Sequence, residues 1–382
     1  MNERTRRDDA VDWLRGLVML LMVLDHARDF FFGIRVRPLD LLTTTPLLFG
    51  TRWVTHFCAP VFVLLAGMAA FMYGRRKGDA ARTRYLLSRG AFLILLEITV
   101  VRLLWVPDPF YHFTLIQVIW VLGWSMVILA GLSRLPRSMI LAFAIVTIGG
   151  HQLLDGVHAK SFGAFAPLWN FLHERAMLVV APGHKVYVSY PLIPWPGVMA
   201  LGYGLGSLLE LEPSKRRRAL LQLGAALTLG FVLIRALNVY GDPKPWSTQP
   251  SPLFTLLSFI NCEKYPPSLD FLLMTLGPAL CVLALAPAVT ARLPFITTVG
   301  RAPMLFYLLH LFLLRIGSAA IALARFGTRA FALPPAGTGG SPELSLGYTY
   351  LVWLVALLLL YPVCRWYAEL KATRPRAWMS YL

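Results

Sequence analysis

Charge is in short supply in this chain, and acidic charge most of all. Only 14% of its 382 residues are Asp, Glu, Lys or Arg, and 19 of those are acidic. A water-soluble domain carries about 25% charged residues, so the shortage excludes an ordinary hydrated surface. Cysteine is scarce too. Cys58, Cys281 and Cys364 fall in or beside apolar stretches and Cys262 stands alone, which excludes a disulfide framework and any cysteine-based metal spacing. The basic N-terminus and first apolar run lack a small-residue cleavage site, and Arg15, Asp25 and His26 interrupt that run. It reads as an uncleaved helix rather than a leader. No internal repeat is present.

What the chain does have is apolar length. Hydrophobic residues make up 57% of it and gather in runs such as 14–24, 53–72, 219–234 and 348–361. A helix needs roughly 20 mainly apolar residues to cross a bilayer, because every backbone amide must be bonded within the segment. The runs predict spans at 13–32, 52–73, 85–105, 112–132, 139–155, 191–211, 219–240, 268–290, 299–322 and 346–368. The expected fold is all-α: a polytopic membrane protein of about ten transmembrane helices, forming one domain over residues 1–382.

A formal charge of +17 invites a nucleic-acid partner, but the distribution of the charge points elsewhere. With the N-terminus in the cytoplasm, more than half of the 36 basic residues fall on one side. These include Arg4, Arg6 and Arg7, the run from Arg75 to Arg89, the run from Lys215 to Arg218, and the C-terminal tail. The alternating loops, which hold Arg35, Arg37 and Arg329 among others, carry fewer. That is the positive-inside pattern; it sets both termini in the cytoplasm and needs no nucleic acid. Short inner loops favour a bacterial inner membrane. A homodimer is compatible with the sequence, though no residue points to one.

Ionisable side chains inside a bilayer are costly, and each becomes a functional hypothesis. The first span concentrates them: Asp12, Arg15, Asp25, His26, Arg28 and Asp29. Arg15 and His26 are eleven residues apart, about 16 Å along a helix and on nearly the same face. Asp29 lies one turn beyond His26, within reach to fix the imidazole tautomer. The bland alternative is an ion-pair cluster of Asp25, Arg28 and Asp29 with His26 hydrogen-bonded inside it. His56, His112 and His310, with Tyr307 one turn before the last, fall at middle to outer depth on three other spans and suggest a shared, water-accessible cavity. No two of these four histidines share a helical-turn spacing, so no metal is expected. His151, His158, His173 and His184 read as outer-side or loop residues without a role. Glu97, Arg102, Gln117, Arg235 and Asn238 read as structural pairs. The longer outer loops are rich in Pro, Gly and aromatic residues, suiting either an interfacial belt or the stacking of a sugar.

The order Asp12-Trp13-Leu14-Arg15-Gly16, with ten residues between Arg15 and His26, resembles the first helix of transmembrane acyltransferases, a superfamily that includes acyltransferase family three. More closely, the chain resembles bacterial membrane proteins related to heparan-α-glucosaminide N-acetyltransferase. The stretches that carry this are Val11–Phe32, His56-Phe57-Cys58-Ala59-Pro60 running into Leu65-Ala66-Gly67, Pro191–Gly206, Lys264–Leu269, and Gly300-Arg301-Ala302-Pro303 through Tyr307 to His310.

The resemblance implies an acyl-CoA donor, acetyl-CoA above all, entering from the cytoplasm, and an extracytoplasmic glycan or similar small acceptor. On that reading Arg15, Arg75, Arg76 and Arg301 hold the phosphates of coenzyme A. His26 acts as general base or as an acylated relay, with Asp29 or Asp25 orienting it. His56, His112, Tyr307 and His310 line the acceptor side or stabilise the carbonyl oxygen. The rival readings are a transporter or flippase of a small polar or glycan substrate, and an inert membrane subunit. The chain shows no pair of related halves with interrupted helices, the usual transporter signature.

Overall fold

The computed structural model describes residues 8–32, 36–328, 344–374 and 376–381; Arg4, Arg6, Arg7, Arg35 and Arg329 of the charge pattern lie outside them. The described chain is mostly helical. Among the described residues, six helical runs are long and apolar enough to cross a membrane: Pro46–Lys77, Arg137–Leu154, Pro213–Leu237, Leu269–Ala288, Pro303–Phe326 and Leu346–Thr373. This is a multi-pass membrane protein.

The residues fall into two compact units. One, the α1 unit, comprises Asp8–Cys58, Val101–Pro109 and Ala286–Leu382. The other, the sheet unit, comprises Ala59–Val100 and Phe110–Leu285.

The α1 unit is built around α1 (Asp9–Phe31). Asp8 caps this helix: its carboxylate accepts the amides of Ala10 and Val11 at 3.0 and 3.3 Å, satisfying two of the donors that a helix start leaves bare. The following α2 (Pro46–Val54) begins with the Thr45 hydroxyl on the Leu48 amide and Pro46 in its first turn. Later in the chain come α13 (Pro294–Gly300), α14 (Pro303–Phe326) and α15 (Leu346–Thr373).

α1 and α13 meet backbone to backbone. A Cβ on Gly16 would lie 1.9 Å from the Ile296 carbonyl oxygen, and one on Gly300 would lie 1.8 Å from that of Asp12. Only glycine fits at either position, and such small-residue contacts are how helices associate where lipid removes the hydrophobic drive. In α15 the residues Ala356, Leu360, Cys364 and Tyr367 are buried, spaced as one helical face, while Leu351, Leu354, Leu358 and Leu359 are more than half or about half exposed. Apolar side chains on the exposed face suit lipid and would be a liability in water.

The sheet unit contains α3 (Cys58–Lys77), whose first residue belongs to the α1 unit, and α4 (Asp79–Leu96). A π-helical turn at Glu97–Val101 carries the same helical run on into α5 (Arg102–Trp105), which lies in the α1 unit. Then follow β1 (Phe113–Ile116), α6 (Val118–Leu132), α7 (Arg137–Gly150), α8 (Ala166–Leu172), β2 (Ala176–Ala181), β3 (His184–Val188), α9 (Trp195–Leu205), α10 (Pro213–Leu237), α11 (Pro252–Phe259) and α12 (Leu269–Leu285).

Here the structure corrects two expectations. The fold is not all-α: β1, β3 and β2 form a three-stranded sheet in that order, with β1 parallel and β2 antiparallel to the central β3. The span expected over 112–132 also begins too early, because its first residues, Phe-Thr-Leu-Ile, are the strand β1 and the helix starts at Val118. Run length alone hid the strand, since a short β-branched and aromatic stretch feeding an apolar helix looks like one continuous span.

The buried polar residues read as structural do find partners. Glu97 accepts the Gln117 amide at 2.9 Å, and Arg102 donates to the Asp108 carbonyl. Arg235 donates to the carbonyls of Lys244, Ser258, Phe259 and Asn261. Nearby Asp242 sits 3.6 Å from Arg235; burial pushes its carboxyl above the usual range, opposed by the Ser268 hydroxyl and backbone donors.

The α1–α13 contact makes a stability prediction. Gly300→Leu should abolish the folded protein or cost more than about 3 kcal/mol. Gly131→Ala, in a helix with nothing within 4 Å of the added methyl, should stabilise by about 0.5–1 kcal/mol. Thermal unfolding in detergent measures both, and equal tolerance of the two substitutions would contradict the packing described.

Candidate active site

Charges buried in a protein must be neutralised by partners there, and α1 does this at two levels. At its start Arg15 Nη1 donates to Asp12 Oδ1 at 2.7 Å and to the Gly300 carbonyl at 3.2 Å. Arg301 Nη2 donates to Asp9 Oδ1 at 2.8 Å, and its Nε lies 3.9 Å from Asp12 Oδ2. The glycine contact with α13 is what brings Arg301 to Asp9 and close to Asp12, the partner of Arg15. Arg301 stays 43% exposed, leaving donors of its planar fork for an anion.

About three turns further on, Asp25 is saturated. Both its oxygens accept from Arg52 Nη1 at 2.6 Å, Arg28 Nη2 lies 2.9 Å away, and the Thr55 hydroxyl donates at 2.9 Å. Arg28 Nη2 also binds Asp29 Oδ1 at 2.6 Å. Two carboxylates and two guanidiniums therefore balance. Arg28 is 6% exposed, and its Nη1 is buried without a hydrogen-bond partner among the described residues.

His26 projects beside this cluster from the same helix. Its Nδ1 lies 2.7 Å from Nε2 of His310 on α14, and the two rings stack 5.0 Å apart at 10°. Trp105 of α5 meets the His26 ring edge-on at 5.1 Å, and Tyr307 does so at 6.5 Å. His310 is fully buried, whereas His26 is half-buried.

The tautomers follow from a single acceptor. His310 Nδ1 lies 3.0 Å from the Phe306 carbonyl, and a carbonyl can only accept, so His310 Nδ1 carries the proton. In the neutral ring Nε2 is then an acceptor. The 2.7 Å contact therefore needs a proton on His26 Nδ1, which leaves the lone pair of neutral His26 on Nε2. The partner that orients His26 Nδ1 is thus a second imidazole rather than a carboxylate, and Asp29 is engaged by Arg28 instead. Sequence spacing had pointed to Asp29 because it sees only one helix, whereas His310 is 284 residues away.

The remaining expected residues are dispersed. His56 is fully buried in the short 3-10 turn Thr55–Phe57 of the α1 unit. His112 belongs to the sheet unit, where its ring stacks on His184 at 5.7 Å. Arg75 and Arg76 are also in the sheet unit; Arg75 pairs with Glu210 at 2.8 Å and Arg76 caps back onto the Met72 carbonyl. The same unit has a cavity of about 990 Å³ lined by Asp79, Arg82, Arg84, Ser133 and Arg134. Within it Arg82 is occupied by Asp79 and by the Ser133 carbonyl. Trp105 and Arg52 were not singled out from sequence. Their only signal was an aromatic and a cation at span ends, which belt residues and topology explain equally well.

A half-buried imidazole whose Nδ1 is held by a second ring, beside a neutralised ion-pair cluster, is an arrangement able to take up and release a proton. The family comparison agrees: residues 7–240 match the family model for the catalytic region of heparan-alpha-glucosaminide N-acetyltransferase, and the chain belongs to that family. Membership brings acetyl-CoA as the donor expected of an acetyltransferase. The matched stretch contains His26, Asp25, Arg28 and Arg52 but ends before His310. A search of the curated proteins returned no match.

Asp25 and His26, one residue apart, should respond differently to mutation. Asp25→Ala leaves two buried guanidiniums without their shared carboxylate and should cost about 3–5 kcal/mol. His26→Ala removes a half-buried ring and leaves the buried His310 Nε2 without its donor, so it should cost less, about 1–3 kcal/mol. Unfolding midpoints in detergent distinguish the two, and a larger loss for His26→Ala would show that its role is in packing.

Proposed function

We propose that this protein moves an acetyl group from cytoplasmic acetyl-CoA to an amine or hydroxyl of an extracytoplasmic glycan or similar small acceptor, with His26 as the catalytic base. The observation that carries this reading is the His310–His26 hydrogen bond, which presents His26 Nε2 as an unprotonated nitrogen on a partly accessible ring. The arrangement of ten spans forming one domain, with both termini in the cytoplasm of a bacterial inner membrane, is part of the same reading and rests on the positive-inside pattern.

In direct transfer, the acceptor nitrogen or oxygen attacks the thioester carbon while its proton passes to His26 Nε2. The carbon–sulfur bond then breaks, and the CoA thiolate recovers the proton. In a relay, Nε2 itself attacks the thioester carbon and the carbon–sulfur bond breaks to release the CoA thiolate. The acceptor nitrogen or oxygen then attacks the acyl-imidazole carbon, the carbon–nitrogen bond to His26 breaks, and the acceptor's proton passes through His26 Nε2 to the thiolate. Either route creates positive charge on His26 that a 2.7 Å bond to a neutral imidazole steadies, as a triad orienter does. Arg28 Nη1 and Tyr307 are the donors we assign to the developing carbonyl oxygen. Asp25, already held by three partners, is a positioning residue and a poor base. Arg15 and Arg301 of the α1 unit are the cations we assign to the CoA phosphates.

The test uses purified full-length protein with radiolabelled acetyl-CoA and a panel of glucosamine-containing and simple amine acceptors. His26→Ala should lower transfer by about 10²–10⁴-fold while leaving CoA binding intact. Arg301→Ala should raise KM for acetyl-CoA roughly tenfold at unchanged kcat. Normal transfer by His26→Ala would remove His26 from the mechanism. Failure of the wild type to bind CoA, together with uptake of a polar solute into vesicles, would replace the enzyme with a transporter.

A further inference from the structure

The sheet unit holds a second cluster that the acyl-transfer chemistry leaves unused. His151 follows the last residue of α7 and opens the 3-10 turn His151–Leu154, and Asp155 comes immediately after it. The two are four residues apart and line the same cavity. His173 caps α8, with its amide on the Trp169 carbonyl at 2.7 Å and its ring against Trp169 at 5.3 Å. His151 Nδ1 lies 3.4 Å from His173 Nε2, and His173 Nε2 lies 3.7 Å from Asp155 Oδ1. One ligand atom from each residue falls within 4.8 Å of the other two.

From these observations we infer that His151, Asp155 and His173 form a binding site for a divalent first-row metal ion, zinc by preference. Zinc takes imidazole nitrogen at about 2.0–2.1 Å and carboxylate oxygen at about 2.0–2.2 Å, so tetrahedral ligand atoms stand about 3.4 Å apart. One measured edge equals that separation and the second exceeds it by a few tenths of an ångström. The contacts are poor as direct interactions. An ionised pair joins at about 2.7–2.9 Å, and 3.4 Å is the outer limit for two imidazoles. The three groups converge on a common point more closely than they bond to one another.

Two imidazoles and one carboxylate are a zinc donor set that leaves a fourth position for water or a ligand. A cavity of about 410 Å³ supplies room for it, lined by all three residues together with Gln152, His158 and Glu174. The surroundings also serve a metal. Both histidines are buried, whereas Asp155 is 34% exposed and has room to close the third edge. Gln152 hydrogen-bonds to Asp155 and is itself held by the Leu269 amide at 2.9 Å, giving the carboxylate an outer partner. Without a metal, His173 Nε2 lies 3.1 Å from the His151 carbonyl, a contact that ligation would replace. This departs from the expectation of no metal: His151 and Asp155 are close in sequence, but the third member, His173, is 22 residues from His151, so chain spacing alone does not show the cluster.

The test uses the full chain in detergent with any affinity tag removed, stripped by chelator and then titrated with zinc. Bound metal is counted by plasma mass spectrometry, and thermal unfolding is followed in parallel. The wild type and His184→Gln, a histidine outside the site, should each hold about one zinc per chain and unfold at a higher temperature when loaded. His173→Gln and Asp155→Asn should each weaken zinc at least about 100-fold and lose that shift. Should His173→Gln fail to fold, the exposed Asp155 still provides the test. Cobalt(II) loading of the wild type adds an independent reading, the strong visible bands of tetrahedral coordination. Equal zinc binding by wild type and Asp155→Asn, or bound cobalt without those bands, would overturn the assignment and leave a hydrogen-bonded histidine pair.

Discussion

The contact on which the α1 unit depends is the meeting of α1 and α13 at Gly16 and Gly300. With less than 2 Å available for a Cβ at either glycine, the two backbones are in register to within a fraction of a residue. That register places the Gly300 carbonyl on Arg15 and lets Arg301 reach Asp9. It also fixes the rotation of α1, and so decides where Asp25 and His26 point further along the same helix. A helix carrying this much charge cannot choose its orientation by burying an apolar stripe. The steric fit of two glycines does so instead.

Given that orientation, electrostatics divides the helix into components with distinct duties. The Asp9, Asp12, Arg15 and Arg301 group is partly exposed and keeps spare donors. The Asp25, Arg28, Asp29 and Arg52 group is balanced and nearly closed. A balanced group beside His26 leaves the imidazole in a field of small net charge. The group that its Nδ1 meets is the ring of His310 rather than a bare carboxylate. This differs from the usual arrangement, in which a carboxylate orients the histidine.

Much of this was legible in the sequence. The membrane class followed from apolar length, and the concentration of ionisable groups on the first helix followed from reading the exceptions. Arg15 and His26 could be set on one face by arithmetic. Partners could not. Arg52 is 27 residues from Asp25 and His310 is 284 from His26, and helical periodicity has no term for a contact between helices. So the sequence nominated Asp29, the nearest carboxylate along the chain, where the fold supplies a second histidine. The strand Phe113–Ile116 was missed for a related reason: its pairing partner, Lys185–Val188, lies some seventy residues on, and without it the segment reads as the start of an apolar helix.

The hydrogen bond from His26 Nδ1 to His310 also gives the protein a built-in reporter. That proton sits between two stacked rings, 2.7 Å from nitrogen to nitrogen, and its acceptor ring is fully shielded from solvent. A proton so placed exchanges slowly with water and resonates well downfield of ordinary imidazole signals. With labelled histidine, magnetic resonance can therefore follow one atom at the centre of the α1 unit, without an acceptor substrate in hand. Any twist of α14 that carries the His310 ring away from α1 would extinguish the signal before the helix itself had unfolded.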